Sequence, residues 1–260
     1  MNILEKILEK KRIRVEEAMK KIPFSELEKA LGSAPEAPSF SGALSKKNAK
    51  PAVIAELKKA SPSRGVIREN FDPKGLAASL EKSGASALSV LTEEDFFLGS
   101  LENLKTAKAA AKNTPILRKD FIFCKYQLLE AKIAGASAAL LIARMLDEKT
   151  LKELIDYAVQ INIDILCETH NAGEIETALR CGAKIVGVNS RDLATFKTDI
   201  SAIIPLLEKI PPSCKKVAES GINTAEDLYL MGKAGADACI VGGAIMEKQD
   251  PSSELKKLLG

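Results

Sequence analysis

The sequence predicts an α/β protein in which eight parallel strands, each followed by a helix, close into one barrel behind an N-terminal helical extension. Three observations predict it. From residue 52 onward, short runs rich in β-formers alternate with helical segments, eight of each. Four Gly-Ala pairs, Gly84-Ala85, Gly135-Ala136, Gly182-Ala183 and Gly235-Ala236, each end a helix and lead into an apolar run. They recur about every 50 residues, once per pair of strand-helix units, as left-handed caps would. The chain has 260 residues, the usual size of a single (β/α)8, or TIM, barrel, and nothing resembling a linker interrupts it after residue 50. Residues 1–260 are therefore expected to form one domain, with 1–50 as the extension. An open doubly wound sheet also alternates strand and helix, but eight near-equal units without a GxGxxG turn fit it less well.

In order along the chain, Ile3, Leu4, Ile7, Leu8, Ile13 and Ala18 recur among Lys and Glu, the apolar stripe of a helix over 3–20. A second short helix is expected from Ser25, where Ser25 and Glu28 fit a capping box and Gly32 supplies the stop. Residues 33–50, rich in Ser, Ala and Pro, read as a loop that could close over the barrel mouth near Phe40. Strands are predicted at AVIAEL from Ala52, SALSVL from Ser86, PILRKD from Pro115 and AALLIA from Ala138. The other four are DILCET from Asp164, KIVGVN from Lys184, KVAES from Lys216 and DACIVG from Asp237. Helices fall between them near 73–83, 100–112, 125–134, 147–160, 172–181, 199–208 and 224–233, with a last one near 252–259.

Composition narrows the function. Hydrophobic residues at 46% and charged ones at 28% are ordinary for a globular chain. A net charge of +3, with acidic and basic residues interspersed, gives no case for a nucleic-acid partner. No apolar run approaches the length of a membrane span, and MNILEKILEKKR is too charged for a signal peptide, so a cytoplasmic location is expected. The five cysteines show no CxxC spacing and read as reduced, buried thiols. His170 is the only histidine, which removes sites that need two.

The chemistry is concentrated at the C-terminal ends of the predicted strands, where barrel enzymes carry their sites. Those ends hold Glu56 with Lys58, Lys119 with Asp120, Glu168, Asn189 with Arg191, and Glu219 with Ser220. Glu56 and Lys58 share one face of the first strand because side chains alternate. Any one of these charges could be a solvated rim residue; a ring of them suits a charged, polar substrate. A lysine in a partly buried mouth has its ammonium disfavoured, which makes Lys58 and Lys119 possible proton donors near neutral pH. Glu168 is a possible general base, and Asn189 and Glu219 can orient a hydroxyl or an ammonium. Ser220-Gly221 after the seventh strand and Gly242-Gly243 after the eighth, ahead of a short helical turn at 244–247, let backbone amides approach an anion, with Ser61 adding a hydroxyl. Phe96, Phe97, Phe121 and Phe123 flank the rim, and Phe121 is the one best placed to pack on a substrate ring.

With those residues in view, the chain resembles the indole-3-glycerol-phosphate synthases of tryptophan biosynthesis. The matching stretches are IAELKKASPSRG at 54–65, SVLTEEDFFLGSLENL at 89–104, LRKDFIF at 117–123, CETH at 167–170, VGVNSRDL at 186–193 and AESGI at 218–222, with SFSGAL at 39–44 in the leader. The resemblance implies a carbon-carbon lyase that closes the ring of an anthranilate-bearing deoxyribulose phosphate, then releases carbon dioxide and water, using acid/base groups and no metal or other cofactor. By the same likeness Lys119 is the general acid and Glu168 the base of the dehydration. Lys58 contacts the substrate carboxylate or shares acid duty, and Glu56, Asn189, Glu219 and Ser220 orient the reacting region. Ser61, Gly221, Gly242 and Gly243 hold the phosphate, and Arg191 and Phe121 join the binding surface. Many members of the family carry Ser or Glu where this chain has Gly243. The partner is then a phosphorylated small molecule, with no nucleic acid and no membrane. A monomer is expected, a homodimer or association with other enzymes of the pathway being the alternatives. Two other readings stay open: an isomerase or aldolase-type barrel acting on another phosphorylated sugar, and a non-catalytic phosphosugar-binding barrel.

Overall fold

Strand β1 (Ala52–Leu57) shows why the barrel forms. All six of its residues are buried, but in two different environments. Ala52 and Ile54 point into the barrel, where they pack with Leu117, Leu140, Leu166, Val217 and Ile240. Val53, Ala55 and Leu57 point out, into the larger core between strands and helices. A strand buried on both faces must be apolar almost throughout, and that is what the sequence supplies.

The computed structural model describes residues 3–46, 50–191 and 198–260. Seven further strands follow β1: β2 (Ala87–Leu91), β3 (Ile116–Lys119), β4 (Ala138–Ile142), β5 (Asp164–Thr169), β6 (Ile185–Asn189), β7 (Lys215–Glu219) and β8 (Ala238–Val241). Each pairs parallel with its sequence neighbours, and β8 pairs with β1 to close the ring. Every predicted strand is therefore present, within a residue or two of its expected ends.

Helices α1 (Ile3–Lys21), α2 (Phe24–Ala30) and α3 (Phe40–Ala43) make the leader. Those of the barrel are α4 (Pro73–Lys82), α5 (Leu101–Ala110), α6 (Lys125–Ile133), α7 (Glu148–Gln160), α8 (Ala172–Arg180), α9 (Ile204–Leu207), α10 (Ala225–Lys233), α11 (Gly243–Met246) and α12 (Pro251–Leu259). The four recurring glycines are left-handed, with φ of 97°, 89°, 91° and 100° at Gly84, Gly135, Gly182 and Gly235. After each, the alanine N–H reaches back to the helix, as in Ala85 to the Leu80 carbonyl (3.1 Å) and Ala236 to that of Met231 (3.0 Å). Only glycine enters that conformation without strain, so the repeat is a set of helix stops that aim the chain into β2, β4, β6 and β8.

After α1, the leader differs from expectation in three ways. Helix α2 begins at Phe24 after Pro23, whose ring imposes the break from α1, and Ser25 lies inside the first turn without capping anything. It ends at Ala30 with Leu31 as its C-cap, and Gly32 belongs to the following 3₁₀ turn Leu31–Ser33 rather than acting as the stop. The predicted loop contains α3, capped by Ser39, whose hydroxyl accepts from Gly42 N–H at 3.0 Å; residues 47–49 of that loop lie outside the described residues. Phe40 and Leu44 are fully buried in the barrel interior. Ser41 N–H donates to Asp164 at the start of β5 (2.8 Å), so this segment plugs the N-terminal floor and is no lid for the mouth.

Helix α1 lies at the other end. Its buried face is Ile7, Lys11 and Val15, while Ile13 of the expected stripe is 47% exposed. Lys11 is only 2% exposed because its ammonium meets Asp120 at 2.9 Å and Glu94 at 2.7 Å. Burying that charge is tolerable only because it is paired and hydrogen-bonded.

Candidate active site

Inside the barrel, alternate strands contribute alternate layers of side chains. The odd strands supply Ile54, Leu117, Leu166 and Val217 to one layer, packed as hydrocarbon. Two residues further along each of the same strands stand Glu56, Lys119, Glu168 and Glu219. A position normally filled by aliphatic side chains thus holds three carboxylates and an ammonium, all facing one cavity at the C-terminal mouth. Lys119 Nζ is the hub: it donates to Glu168 Oε2 and to Glu219 Oε2, each at 2.7 Å.

Two inward glycines make room for this layer. A Cβ at Gly187 on β6 would stand 2.1 Å from Glu219 Oε1, and one at Gly242 would stand 2.3 Å from Glu56 Oε2. Gly242 belongs to the predicted set, but Gly187 was outside it. The signal was a glycine in the middle of the strand run KIVGVN, a place where glycine weakens a strand unless something approaches closely.

The electrostatics follow from the crowding. Glu56 is fully buried, which favours its neutral form, but Lys58, paired directly with it, and Lys119 outweigh that and hold its pKa below the usual carboxylate range. For Glu219 burial is the largest influence, and with Glu168 next to it the pKa is pushed up to about 8 despite Lys119. Glu168 moves the other way: burial opposes ionisation, but Lys119 and His170 hold it ionised, down to about 2. Two carboxylates on one ammonium cannot both ionise freely, so the pair shares a proton with Glu219 as its holder. Lys119 departs from expectation. Burial does work against its ammonium, but Glu168, Glu219 and Glu56 prevail, so its pKa is raised rather than lowered.

The other predicted residues line the same cavity. Lys58 stands beside Glu56. Asn189 Oδ1 accepts from the Arg191 N–H at 3.0 Å, which fixes the strand end where Arg191 leaves it; residues 192 and 193 of the matching stretch 186–193 lie outside the described residues. Burial, followed by nearby Arg64, makes the Arg191 charge less favourable, and Glu56 supports it. Ser220 and Gly221 are both left-handed, at φ 67° and 80°. A non-glycine residue held in that region beside a cavity marks backbone shaped for a purpose. Ser61, Gly242 and Gly243 face Ser220 and Gly221 across the arc formed by β7, β8 and β1.

Apart from Lys119 and Asp120, the opposite arc is lined by apolar side chains. Phe121 and Phe97 line it with ring centroids 6.0 Å apart, together with Leu91, Leu140 and Ile142, and Ile3, Leu4 and Ile7 of α1 lie at its rim. Phe96 and Phe123 are not part of the lining, and Phe123 instead carries the Arg12 guanidinium at 5.1 Å. Asp120 does not join the layer formed by Glu56, Lys119, Glu168 and Glu219. Its carboxylate accepts from Lys11, Arg118 and Thr92 and is held down to about 2, burial being overcome by those two cations. His170 is 6% exposed at the side chain, with Nε2 3.6 Å from Glu168 and Nδ1 3.4 Å from Glu174.

The arrangement can therefore donate a proton, accept a proton, bind a carboxylate, hold an anion through backbone amides and pack a planar ring, each in a fixed place around one mouth. A family model for indole-3-glycerol phosphate synthase matches residues 4–258. The indole-3-glycerol phosphate synthase of Carboxydothermus hydrogenoformans is 44% identical over 98% of this chain and 99% of its own length. That of Campylobacter jejuni subsp. doylei is 43% identical over 99% of this chain and 100% of its own. Among solved structures, 3-hexulose-6-phosphate synthase from Salmonella typhimurium superposes with a TM-score of 0.64 at 15% identity, covering 80% of this chain and 96% of that one. The tryptophan synthase alpha-subunit of Pyrococcus furiosus gives 0.62 at 16%, covering 80% and 98%. At such identities these two likenesses bear on the barrel fold alone.

Proposed function

This chain belongs to the indole-3-glycerol phosphate synthase family, its function is the synthesis of indole-3-glycerol phosphate in tryptophan biosynthesis, and we propose how its residues carry that reaction out. The substrate is an anthranilate joined through its nitrogen to a deoxyribulose 5-phosphate. Ring closure forms a carbon-carbon bond between the aromatic carbon bearing the carboxylate and the sugar carbonyl carbon, whose oxygen takes a proton. The carboxylate then leaves as carbon dioxide, returning its electron pair to the ring. Loss of the new hydroxyl, together with a proton from the neighbouring carbon, gives the indole. In reaction class this is a carboxy-lyase acting by proton transfer, with no step assigned to a metal.

Lys119 is assigned the proton delivered to the carbonyl oxygen. Its ammonium is stabilised by three glutamates, so it is charged at every working pH, and an alkoxide is basic enough to take the proton. Glu168, ionised and held at 2.7 Å from Lys119, is assigned the base of the dehydration. The proton shared with Glu219 allows the two carboxylates to exchange roles between steps. Lys58, held by Glu56, is assigned the substrate carboxylate or a share of the acid role. Asn189, Ser220 and Arg191 orient the reacting region. Ser61, Gly221, Gly242 and Gly243 take the phosphate, and Phe121 with Phe97 packs on the anthranilate ring. Binding energy from the remote phosphate then positions the ring for closure. Leader and barrel are proposed to act as a single domain, supported by Phe40 in the floor and Lys11 at the rim.

The observation that carries this reading is the four-residue layer Glu56, Lys119, Glu168 and Glu219 at one mouth. The chain contains no tryptophan, so indole fluorescence reports product without background. Lys119→Ala and Glu168→Gln are each expected to lower turnover by about 100-fold or more, the scale for a general acid or base. Near-normal turnover in both would remove them from the mechanism. Turnover is expected to survive chelation, and its loss with rescue by a divalent ion would contradict the absence of a metal step.

A further inference from the structure

The segment after β1 is a small hairpin in which Ala60–Ser61 pairs with Gly65–Val66, closed by the Arg64 N–H donating to the Ser61 carbonyl at 3.2 Å. Two arginines from this region reach the loop after β8. Arg68 donates to the main-chain carbonyl of Lys248 at 2.9 Å and, more weakly, to those of Met246 and Gln249 at 3.4 Å, an anchor that involves no charged partner. Arg64 pairs instead with the carboxylate of Glu247, and both side chains line the same cavity as Ser61, Gly242 and Gly243. A Cβ on Gly243 would stand 3.1 Å from Glu247 Oε1 and 3.7 Å from Arg64 Nη1. The ion pair thus borders the space that a side chain at 243 would take.

We propose that Arg64 is a binding residue for the phosphoryl group of the substrate, and that the phosphoryl group competes with Glu247 for it. This rests on the phosphate placement given above and supplies what that placement lacks. Ser61 and the glycine amides are neutral donors, whereas a dianion at a partly enclosed mouth is held best by charge-assisted hydrogen bonds. The guanidinium fork matches phosphate oxygens in pairs, and Arg64 projects from the same hairpin as Ser61. Exchange is easy because the present pair is weak: with 55% of the arginine and 42% of the glutamate side chain in water, solvent screens most of its attraction. Arg191 lies near enough for Arg64 to disfavour its charge, so an anion between the two would be drawn by both.

The two partners of the latch make opposite predictions. Arg64→Ala is expected to raise KM by about tenfold or more, the worth of one charge-assisted hydrogen bond, with a much smaller change in kcat. Arg64→Lys is expected to recover part of that loss. Glu247→Gln removes the competitor and is expected to lower KM. Inorganic phosphate, used as a competitive inhibitor, is expected to weaken in Arg64→Ala and to tighten in Glu247→Gln. If Glu247→Gln weakens binding as Arg64→Ala does, the pair is merely structural and the competition is wrong. Ser61→Ala serves as the reference. An unchanged KM in Arg64→Ala beside a raised one in Ser61→Ala overturns the role of Arg64 alone, whereas no change in either overturns the phosphate placement along with it.

Discussion

Glu168 and Glu219 lean on the same ammonium, each 2.7 Å from Lys119 Nζ, and the proton they share sets a pH dependence. Glu219 is pushed up from 4.5 to about 8, so it is protonated at neutral pH and ionises only above that. Turnover is expected to fall as pH rises through about 8, because a second full charge then ties Lys119 down. Glu219→Gln keeps the hydrogen-bonding shape without the ionisation, and the alkaline limb of its pH-rate profile is expected to move upward; an unmoved limb assigns it to another group. The same group affects stability with the opposite sense from an ordinary salt-bridged carboxylate. Between 4.5 and about 8 the folded state holds a proton that the unfolded chain has lost, so stability declines as pH rises across that window. Gly187 tests the packing of the layer. In Gly187→Ala the new methyl would overlap Glu219 Oε1, and if Glu219 acts as proposed, its displacement by about an ångström is expected to cost on the order of 100-fold in rate. Folding should survive, since Gly187 does not sit at positive φ, so the check is kcat measured beside the melting temperature.

At the scale of elements, the leader touches both ends of the barrel by different means. Phe40 seals the floor as a hydrophobic plug, and its removal in Phe40→Ala is expected to cost about 3–5 kcal/mol of stability. Because the floor is remote from the mouth, kcat of the folded variant should stay near the original value. A large drop in kcat without loss of stability would restore the idea of a lid. Helix α1 is fastened by Lys11 to Asp120 and Glu94, with Arg14 on Asp95 outside it. This also accounts for the cluster Glu93, Glu94 and Asp95, the one grouping of metal-ligand type among the described residues. Glu93 accepts the N–H groups of Asp95, Phe96 and Phe97, and the other two serve α1. Truncating one partner of a buried pair costs about 3–5 kcal/mol, and Arg118 remains on Asp120 to offset part of it, so Lys11→Met is expected at the low end. Asp120 is held down to about 2, so its contribution is complete above 3.8 and disappears as pH falls toward 2. Urea midpoints measured against pH in the protein and in Asp120→Asn would show that acid-side loss only in the former.

For the whole molecule, a closed parallel barrel brings the ends of eight distant segments to one place, and that convergence is what turns separate motifs into a site. By itself the sequence determined the strands, most of the helices between them and the caps that join them; the helix expected over 199–208 is instead a 3₁₀ turn, Ile200–Ile203, followed by the single turn of α9. Each of those rests on local rules: apolar runs for strands buried on both faces, and glycine where the backbone must turn left-handed at 84, 135, 182 and 235. It also determined which residues stand at strand ends, because alternation is fixed along a strand, as at Glu56 and Lys58. Tertiary structure alone decided what those residues meet. The charge state of Lys119 depends on carboxylates 49 and 100 positions away, so a reading confined to its neighbours has the sign of its shift reversed. Burial of Lys11, the vacated space at Gly187, the placement of Phe40 on the floor and the Arg64–Glu247 latch are likewise contacts between remote segments. The physical reason is range: hydrogen-bonded backbone patterns are set within a few residues, whereas desolvation and Coulomb interactions act through space and take their values from whatever the fold has placed nearby.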